Sequence, residues 1–105
     1  MLKDAEGNEL KKGDWYICGA EIGCIYAISR WRFKAFTCTN WDEFCDYNYP
    51  HIYSEEIIKI ESLKSSSFIK NYLTICSSQP FKEFVSRNKK TYKPLTLIDS
   101  PFCGS

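Results

Sequence analysis

Six cysteines and one histidine are the residues of this chain that could carry out covalent chemistry. His51 is the single histidine, so a Cys–His or Ser–His hydrolytic pair would have to use it as the base, and Cys45 is the nearest thiol. Asp42, Glu43 and Asp46 surround Cys45, and negative neighbours raise the pKa of a thiol, whereas a nucleophilic cysteine needs a lowered pKa. The sequence therefore predicts no catalytic residue and a protein that is not an enzyme.

Zinc binding is the other chemistry that the cysteines could support. Cys38, Cys45 and His51 lie in one region, and Cys18 and Cys24 could face each other across a hairpin. Structural zinc sites usually pair their ligands as C-x₂₋₄-C, but the gaps here are Cys18-x₅-Cys24 and Cys38-x₆-Cys45. Buried, reduced thiols explain these residues more simply, so we predict no metal and no cofactor, with a zinc-stabilised fold as an alternative.

An acidic and aromatic segment from Thr39 to Ser54 is the strongest candidate for a binding surface. Pro50 interrupts it, and we predict a structured loop or a short helix that is long for a plain connector. Trp and Tyr are enriched at protein interfaces, and a monomer seldom exposes a patch of rings without a use. The preferred function is therefore protein binding. The predicted contact residues are Trp41, Asp42, Glu43, Phe44, Asp46, Tyr47 and Tyr49.

Two basic stretches support nucleic-acid binding as the alternative function. In Arg30-Trp31-Arg32-Phe33-Lys34, basic and apolar residues alternate with the period of a strand, which places the rings opposite the arginines and favours a core position for the rings. The second stretch follows Pro80 and contains Lys93 and Tyr92. A formal net charge of +1 gives no overall field toward nucleic acid, so any binding must be local. The predicted contact residues are Arg30, Arg32, Lys34, Lys82, Arg87, Lys89 and Lys90.

Length and composition indicate one folded domain spanning residues 1–105. The chain is 44% hydrophobic and 26% charged, which excludes a disordered tail, and 105 residues are too few for a two-domain enzyme. The N-terminus lacks the apolar region of a signal peptide, and no apolar run reaches the roughly 18 residues of a membrane span. We therefore expect a cytoplasmic protein with reduced thiols and no membrane partner.

Turn residues and runs of β-branched and aromatic residues predict a sheet in residues 1–62. Lys11 to Asp14 predicts a turn, after which Trp15 to Ala20 and Cys24 to Cys38 predict strands. The hairpin turn between them is predicted near Ala20-Glu21-Ile22. The isoleucines within Ser54 to Ile60 favour a closing strand.

Residues 63–105 predict a helical extension. An apolar stripe with helical spacing indicates a first helix, and Pro80 can begin a second helix that presents Phe81, Phe84 and Val85 on one face. Pro94 begins a late extended segment, Leu95 to Ile98. The apolar stripe must pack against either the sheet or a second copy of the chain, so a homodimer is an alternative. The stripe consists of Phe68, Ile69, Tyr72, Leu73 and Cys76.

The N-terminal residues also carry a family resemblance. Leu2-Lys3-Asp4-Ala5-Glu6-Gly7-Asn8-Glu9-Leu10-Lys11-Lys12-Gly13-Asp14, followed by Trp15-Tyr16-Ile17, resembles the L-K-D-x-x-G-x-E-[IL]-x-x-G-D stretch of phage and prophage YopX-like proteins and the start of small SH3-like barrels. The resemblance implies a twisted barrel of about five short strands and a phage or mobile-element origin, and it brings no catalytic residues. Within it, Gly7 and Gly13 can take the positive φ of tight turns, while Asp4 and Asp14 can accept hydrogen bonds from turn amides.

These observations together predict an α+β protein, a small SH3-like antiparallel β-barrel followed by a short helical C-terminal extension. Given the resemblance to phage proteins, the predicted partner is a host or defence-system protein. The expected activity is inhibition of a host enzyme or a bacterial defence complex, by blockade through the acidic aromatic surface in the host cytoplasm.

Overall fold

A five-stranded antiparallel sheet forms the centre of the molecule. The computed structural model describes residues 2–29, 32–39 and 56–98, and for residues 43–46 the course of the backbone. Four strands follow one another as a meander and a fifth pairs with the first, so the order is β4-β3-β2-β1-β5. The strands are β1 (Trp15–Cys18), β2 (Glu21–Ile28), β3 (Arg32–Thr37), β4 (Glu43–Asp46) and β5 (Ile57–Ile60).

The β1–β2 hairpin turns one residue earlier than the sequence predicts. Cys18 pairs with Glu21, which leaves Gly19 and Ala20 as a two-residue turn, and Gly19 has a φ of 62°. A tight hairpin of this length needs a positive φ, which glycine supplies. The predicted turn at Ala20-Glu21-Ile22 is therefore wrong, because Glu21 and Ile22 already belong to β2.

The predicted strand from Cys24 to Cys38 is two strands. β2 ends at Ile28 and β3 begins at Arg32, and the amide of Ser29 donates to the carbonyl oxygen of Arg32 at 2.8 Å. The prediction of one strand failed because neither glycine nor proline marks this turn. The pairing of β2 with β3 also shifts register between Ile25 and Ala27, so Tyr26 is an extra residue in a β-bulge.

Both faces of the sheet are covered. On one face, Trp15, Ile22, Cys24 and Phe36 pack with buried residues of the helices. On the opposite face, strand residues pack with the N-terminal Leu2 and Leu10. These strand residues are Tyr16, Ile25, Phe33, Ala35 and Ile57. Phe33 thus lies in the core, as the alternation of β3 predicts.

Two helices cover the first face, α1 (Ser66–Cys76) and α2 (Gln79–Arg87), which confirms the prediction of two helices. Ser78 caps α2 by accepting from the amide of Phe81 at 3.4 Å, and Pro80 occupies the first turn. The buried face of α1 differs from the predicted stripe, because Ile75 is 0% exposed whereas Leu73 is 52% exposed. Within the described residues, no helix has the length and apolar character to cross a membrane.

The late extended segment forms a short strand that pairs with residues directly after β5. A short strand β6 (Ser62–Leu63) follows β5, and β7 (Thr96–Leu97) pairs with it in parallel. The residues between these two strands form the helical layer. The α+β class is therefore confirmed. Within the described residues, no hydrogen-bonded pairing joins β4 to β5.

Candidate functional site

The acidic aromatic segment lies largely outside the described residues. Part of it, Glu43–Asp46, forms β4, so the predicted loop or short helix is wrong for these residues, which pair with β3. The register places Asp46 opposite Arg32 and Phe44 opposite Lys34. The side chains of Glu43, Phe44, Cys45 and Asp46 are not described, and Trp41, Asp42, Tyr47, Tyr49 and His51 fall outside the described ranges, as does Arg30.

The basic residues of β3 and of α2 lie toward the same side of the sheet. Arg32 and Lys34 share one face of β3 with Phe36, because side chains alternate along a strand. The ring of Phe36 lies 5.7 Å from that of Phe84 in α2. Arg87 is exposed in the last turn of α2. Arg32, Lys34 and Arg87 therefore lie on the helix-bearing side of the sheet.

Sequence reasoning missed two further cations, Lys11 and Lys12. The turn that carries them is closed twice: the amide of Lys11 donates to Asp14 Oδ2 at 2.8 Å, and the amide of Asp14 donates to the carbonyl oxygen of Lys11 at 3.0 Å. Gly13 then packs directly on the backbone of Thr91, with a φ of +94°. This contact brings the turn at residues 11–14 beside the segment that follows α2. The sequence indicated that the turn needs a glycine at position 13, but it did not indicate that this glycine packs on Thr91.

Three neighbouring hollows, which share lining residues, run along the two turns that this contact brings together. A hollow of about 440 Å³ has Lys12 and Arg87 in its lining. It shares Arg87 with a second hollow, which Lys89 and Lys90 line. It shares Lys12 with a third hollow, which Ile28 and Ser29 line next to β3. We define the basic band as Lys11, Lys12, Arg87, Lys89 and Lys90. Arg32 and Lys34 lie at its β3 end.

The cations of the basic band are exposed, and within the described part of the molecule none of them makes an ion pair. Asp14, the nearest acidic residue of the turn, is already engaged by Lys59, whose Nζ lies 3.3 Å from Asp14 Oδ2. Glu83 and Glu9 are the carboxylates that border the hollows of the band. A row of unpaired cations with few acidic neighbours is the electrostatic pattern of a polyanion site.

Known proteins give no guide to this surface. No protein-family model, curated protein or solved structure matches the chain. The resemblance of residues 2–17 to YopX-like proteins therefore stays a prediction, and the chemistry of the surface must carry the functional argument.

Lys82 is separated from the basic band although it belongs to the same helix. It precedes Arg87 by five positions, which places the two side chains about 140° apart around α2. Both residues are exposed. Lys82 therefore serves as a comparison residue, equal in charge to the cations of the band but on another side of the helix.

Tyr92 anchors the basic turn to the core. Its ring packs edge-on against Phe81, with centroids 5.4 Å apart, and its hydroxyl donates a hydrogen bond to that of Tyr72. Burial, followed by this hydrogen bond, raises the pKa of Tyr92 far above its ordinary value. Tyr92 therefore packs against the core and anchors the segment that contains Lys89 and Lys90. Its ring is not the exposed surface ring that the basic stretch suggested.

Burial raises the thiol pKa of three described cysteines, Cys24, Cys38 and Cys76. Cys24 is buried in the helix-side core, and burial raises its pKa well above the ordinary value, so its thiol stays protonated at neutral pH. Cys18 packs on the opposite face of the sheet, so Cys18 and Cys24 do not face each other across the hairpin as the zinc alternative would require. Among the described residues, no group of three His, Cys, Asp or Glu side chains lies close enough to hold a metal ion.

Proposed function

We propose that this chain binds nucleic acid through the basic band. The observation that carries the proposal is the contact of Gly13 with Thr91, which brings the turn that contains Lys12 beside the segment that contains Lys89 and Lys90. Cations from two turns far apart in sequence then stand side by side without ion pairs in the described part of the molecule. Phosphate groups are the ligands that such rows of exposed Lys and Arg bind best.

Aromatic rings beside the cations favour nucleic acid over other polyanions. The hollow between Lys12 and Arg87 is lined in part by Tyr26, Phe36 and Phe84. Proteins that bind single strands combine a positively charged groove with rings on which bases stack. Of these three rings, Tyr26 is the partly exposed one, and an acidic peptide would use the cations without stacking on it.

Reversing two charges of the basic band tests the proposal. In the Lys12→Glu, Arg87→Glu double variant, the affinity for a fluorescent oligonucleotide should fall by at least about tenfold, because two phosphate contacts become repulsive. The slope of log K against log[salt] should become less steep by about 1.4 to 1.8, since each of the two contacts contributes about 0.7 to 0.9. Fluorescence anisotropy titrations between about 50 and 200 mM KCl measure both quantities.

The matched control carries the same change of charge away from the basic band. Lys70→Glu, Lys82→Glu alters two exposed lysines on the helices and lowers the net charge equally. Its affinity should fall much less than that of the first double variant, because neither Lys70 nor Lys82 lines a hollow of the basic band. Equal losses in the two double variants, or an affinity that does not respond to salt, would contradict the proposal.

Removing a negative charge from the hollow should have the opposite effect. Glu83 lines the hollow next to Arg87, where its carboxylate repels phosphate. Glu83→Gln should therefore tighten oligonucleotide binding by about threefold, corresponding to roughly 0.7 kcal/mol of removed repulsion. Glu61→Gln, at the smaller hollow near Trp15, is the control and should leave affinity unchanged. The same anisotropy titration distinguishes the two variants.

A second proposal keeps the predicted protein partner. β4 lies at one edge of the sheet in the described part of the molecule, and it contains Glu43, Phe44 and Asp46 of the acidic aromatic segment. An edge strand can be extended by a strand of a partner protein. The proposed activity is that of a phage-encoded inhibitor of a host enzyme or defence complex. Stoichiometric capture of one bacterial protein that survives nuclease and is lost in Trp41→Ala supports it, whereas capture abolished by nuclease contradicts it.

We propose in addition that the sheet belongs to an SH3-like barrel of the YopX-like type. Three observations support this fold: a meander whose fifth strand returns to the first, a β-bulge at Tyr26 that bends β2, and positive φ values of 84° at Gly7 and 94° at Gly13. An experimental structure would test it through the distance between β4 and β5. Strands that diverge there would contradict a closed barrel.

A further inference from the structure

We propose that the nucleic acid bound by the basic band is single-stranded, and that one base stacks on Tyr26. This inference rests on the proposed function and adds the form of the ligand. The site is the hollow of about 440 Å³ between the sheet and α2, called here the aromatic hollow. It is lined by Lys12, Tyr26, Phe36, Pro80, Glu83, Phe84, Arg87 and Asn88.

Tyr26 is the most exposed of the three rings that line the aromatic hollow. Phe36 and Phe84 are each only 6% exposed, so they belong to the core, whereas Tyr26 is partly exposed. The Tyr26 ring lies 4.2 Å from that of Phe36 at an interplanar angle of 32°, so Phe36 supports it from one side. A supported, partly exposed ring at the side of a hollow is a stacking platform.

Strand alternation places Tyr26 on the helix-bearing face of β2. Ile22 and Cys24 lie four and two positions earlier and pack on the same face, whereas Ile25 packs on the opposite face. The Tyr26 ring lies against Phe36, where the aromatic hollow forms. The β-bulge between Ile25 and Ala27 lies at the same position and increases the local twist of β2.

Cations from two separate elements border the aromatic hollow. Lys12 comes from the turn at residues 11–14 and Arg87 from the last turn of α2. Lys89 and Lys90 continue the positive surface beyond Arg87. A strand with one base in the hollow therefore has cations available for the phosphates that flank that nucleotide.

A concave site selects for a single strand. A duplex keeps its bases stacked and paired, and it is read by helices or ribbons that protrude into its grooves. To place a base in a hollow, a duplex must first unpair and unstack it. A single strand offers its bases without that cost, in RNA and DNA alike. The geometry does not choose between the two sugars.

Competing strand forms test the inference. Oligonucleotides of about twelve thymidines, about twelve uridines, and a hairpin duplex of similar length are titrated at one salt concentration. The better of the two single strands should bind about tenfold more tightly than the duplex. Tyr26→Leu should reduce that preference by about fivefold, since loss of one stacked base corresponds to at least about 1 kcal/mol. Tyr26→Phe keeps the ring and should keep the preference.

A second measurement uses the unaltered protein and does not depend on the folding of a variant. A single strand containing 5-bromouracil should photo-crosslink to the peptide that contains Tyr26, as mass spectrometry can show. A crosslink at Tyr26 together with the strand preference supports the inference. Equal affinity for single strand and duplex, with crosslinks only at lysines of the basic band, overturns it and leaves the proposed function standing. Absence of binding to every oligonucleotide overturns both.

Discussion

Gly13→Ala should lower the free energy of unfolding by about 3 kcal/mol. A φ of +94° is costly for alanine, by about 1 to 2 kcal/mol. The added Cβ would also overlap the carbonyl oxygen of Thr91 and lie 2.9 Å from its carbonyl carbon, so one of the two turns must move, at a further cost of about 1 to 3 kcal/mol. Urea unfolding followed by tryptophan fluorescence measures the loss, which corresponds to a melting temperature about 10 to 20 °C lower.

Gly7→Ala separates the two causes of that loss. Gly7 has a similar φ of +84°, but no atom lies within 4 Å of the Cβ that alanine would add. Its predicted cost is therefore the backbone term alone, about 1 kcal/mol. If the two alanine variants lose the same stability, the contact between Gly13 and Thr91 contributes nothing, and the link between the two basic turns loses its structural basis.

The same substitution connects stability with binding. The Gly13 contact holds Lys11 and Lys12 beside Lys89 and Lys90, so displacement of either turn separates the cations of the basic band. At a temperature where Gly13→Ala is still folded, its affinity for a single strand should fall, while Gly7→Ala should bind like the unaltered protein. Far-ultraviolet circular dichroism at the binding temperature establishes that both variants are folded.

Elements with a local sequence signal were predictable. The spacing of apolar residues identified α1, Pro80 identified the start of α2, and the isoleucines near residue 58 identified β5. In each case the pattern within one segment decides its conformation. The buried face of α1 was shifted, because Ile75 rather than Leu73 meets the sheet, and that choice depends on where the helix docks.

Features that depend on distant contacts were not predictable. The break at Ser29 carries no glycine or proline, and the loop or helix expected around Glu43 became a strand because β3 pairs with it. The basic residues of α2 and β3 were named from the sequence, but Lys11 and Lys12 were not. Their position beside the segment that follows α2 results from the packing of Gly13 on Thr91, a contact across most of the chain.

Asp4 joins the N-terminal turn to the outer edge of the sheet. Its Oδ1 accepts from the amides of Glu6 and Asn8 at 3.0 and 2.7 Å, and its Oδ2 accepts from the amide of Lys59 in β5 at 2.8 Å. The carbonyl oxygen of Ile57 accepts from the amide of Ala5 at 2.8 Å. The turn thereby covers polar groups that the edge strand β5 would otherwise expose.

Asp4→Asn should lower the free energy of unfolding by about 2 to 3 kcal/mol at neutral pH. Asp4 is 4% exposed, and its carboxylate accepts from three backbone amides and from the side-chain amide of Asn8. Asparagine has one acceptor oxygen, and its amide nitrogen would face a donor. Glu6→Gln, on the exposed part of the same turn, is the control and should change stability by less than about 0.5 kcal/mol. Urea unfolding of the three proteins measures the differences.

The pH dependence of that difference identifies its cause. Burial alone would raise the pKa of Asp4, but the hydrogen bonds from Lys59, Asn8 and Glu6 outweigh it and hold the pKa below its ordinary value of 3.8. A carboxyl group whose pKa is lowered by folding stabilises the protein fully above its unfolded pKa, and this contribution is lost as the pH falls through the folded pKa. The gap between the unaltered protein and Asp4→Asn should therefore be constant near neutral pH and shrink below about pH 4. A gap that stays the same down to about pH 2 would mean that the shape of the side chain, and not its charge, holds β5 to the N-terminal turn.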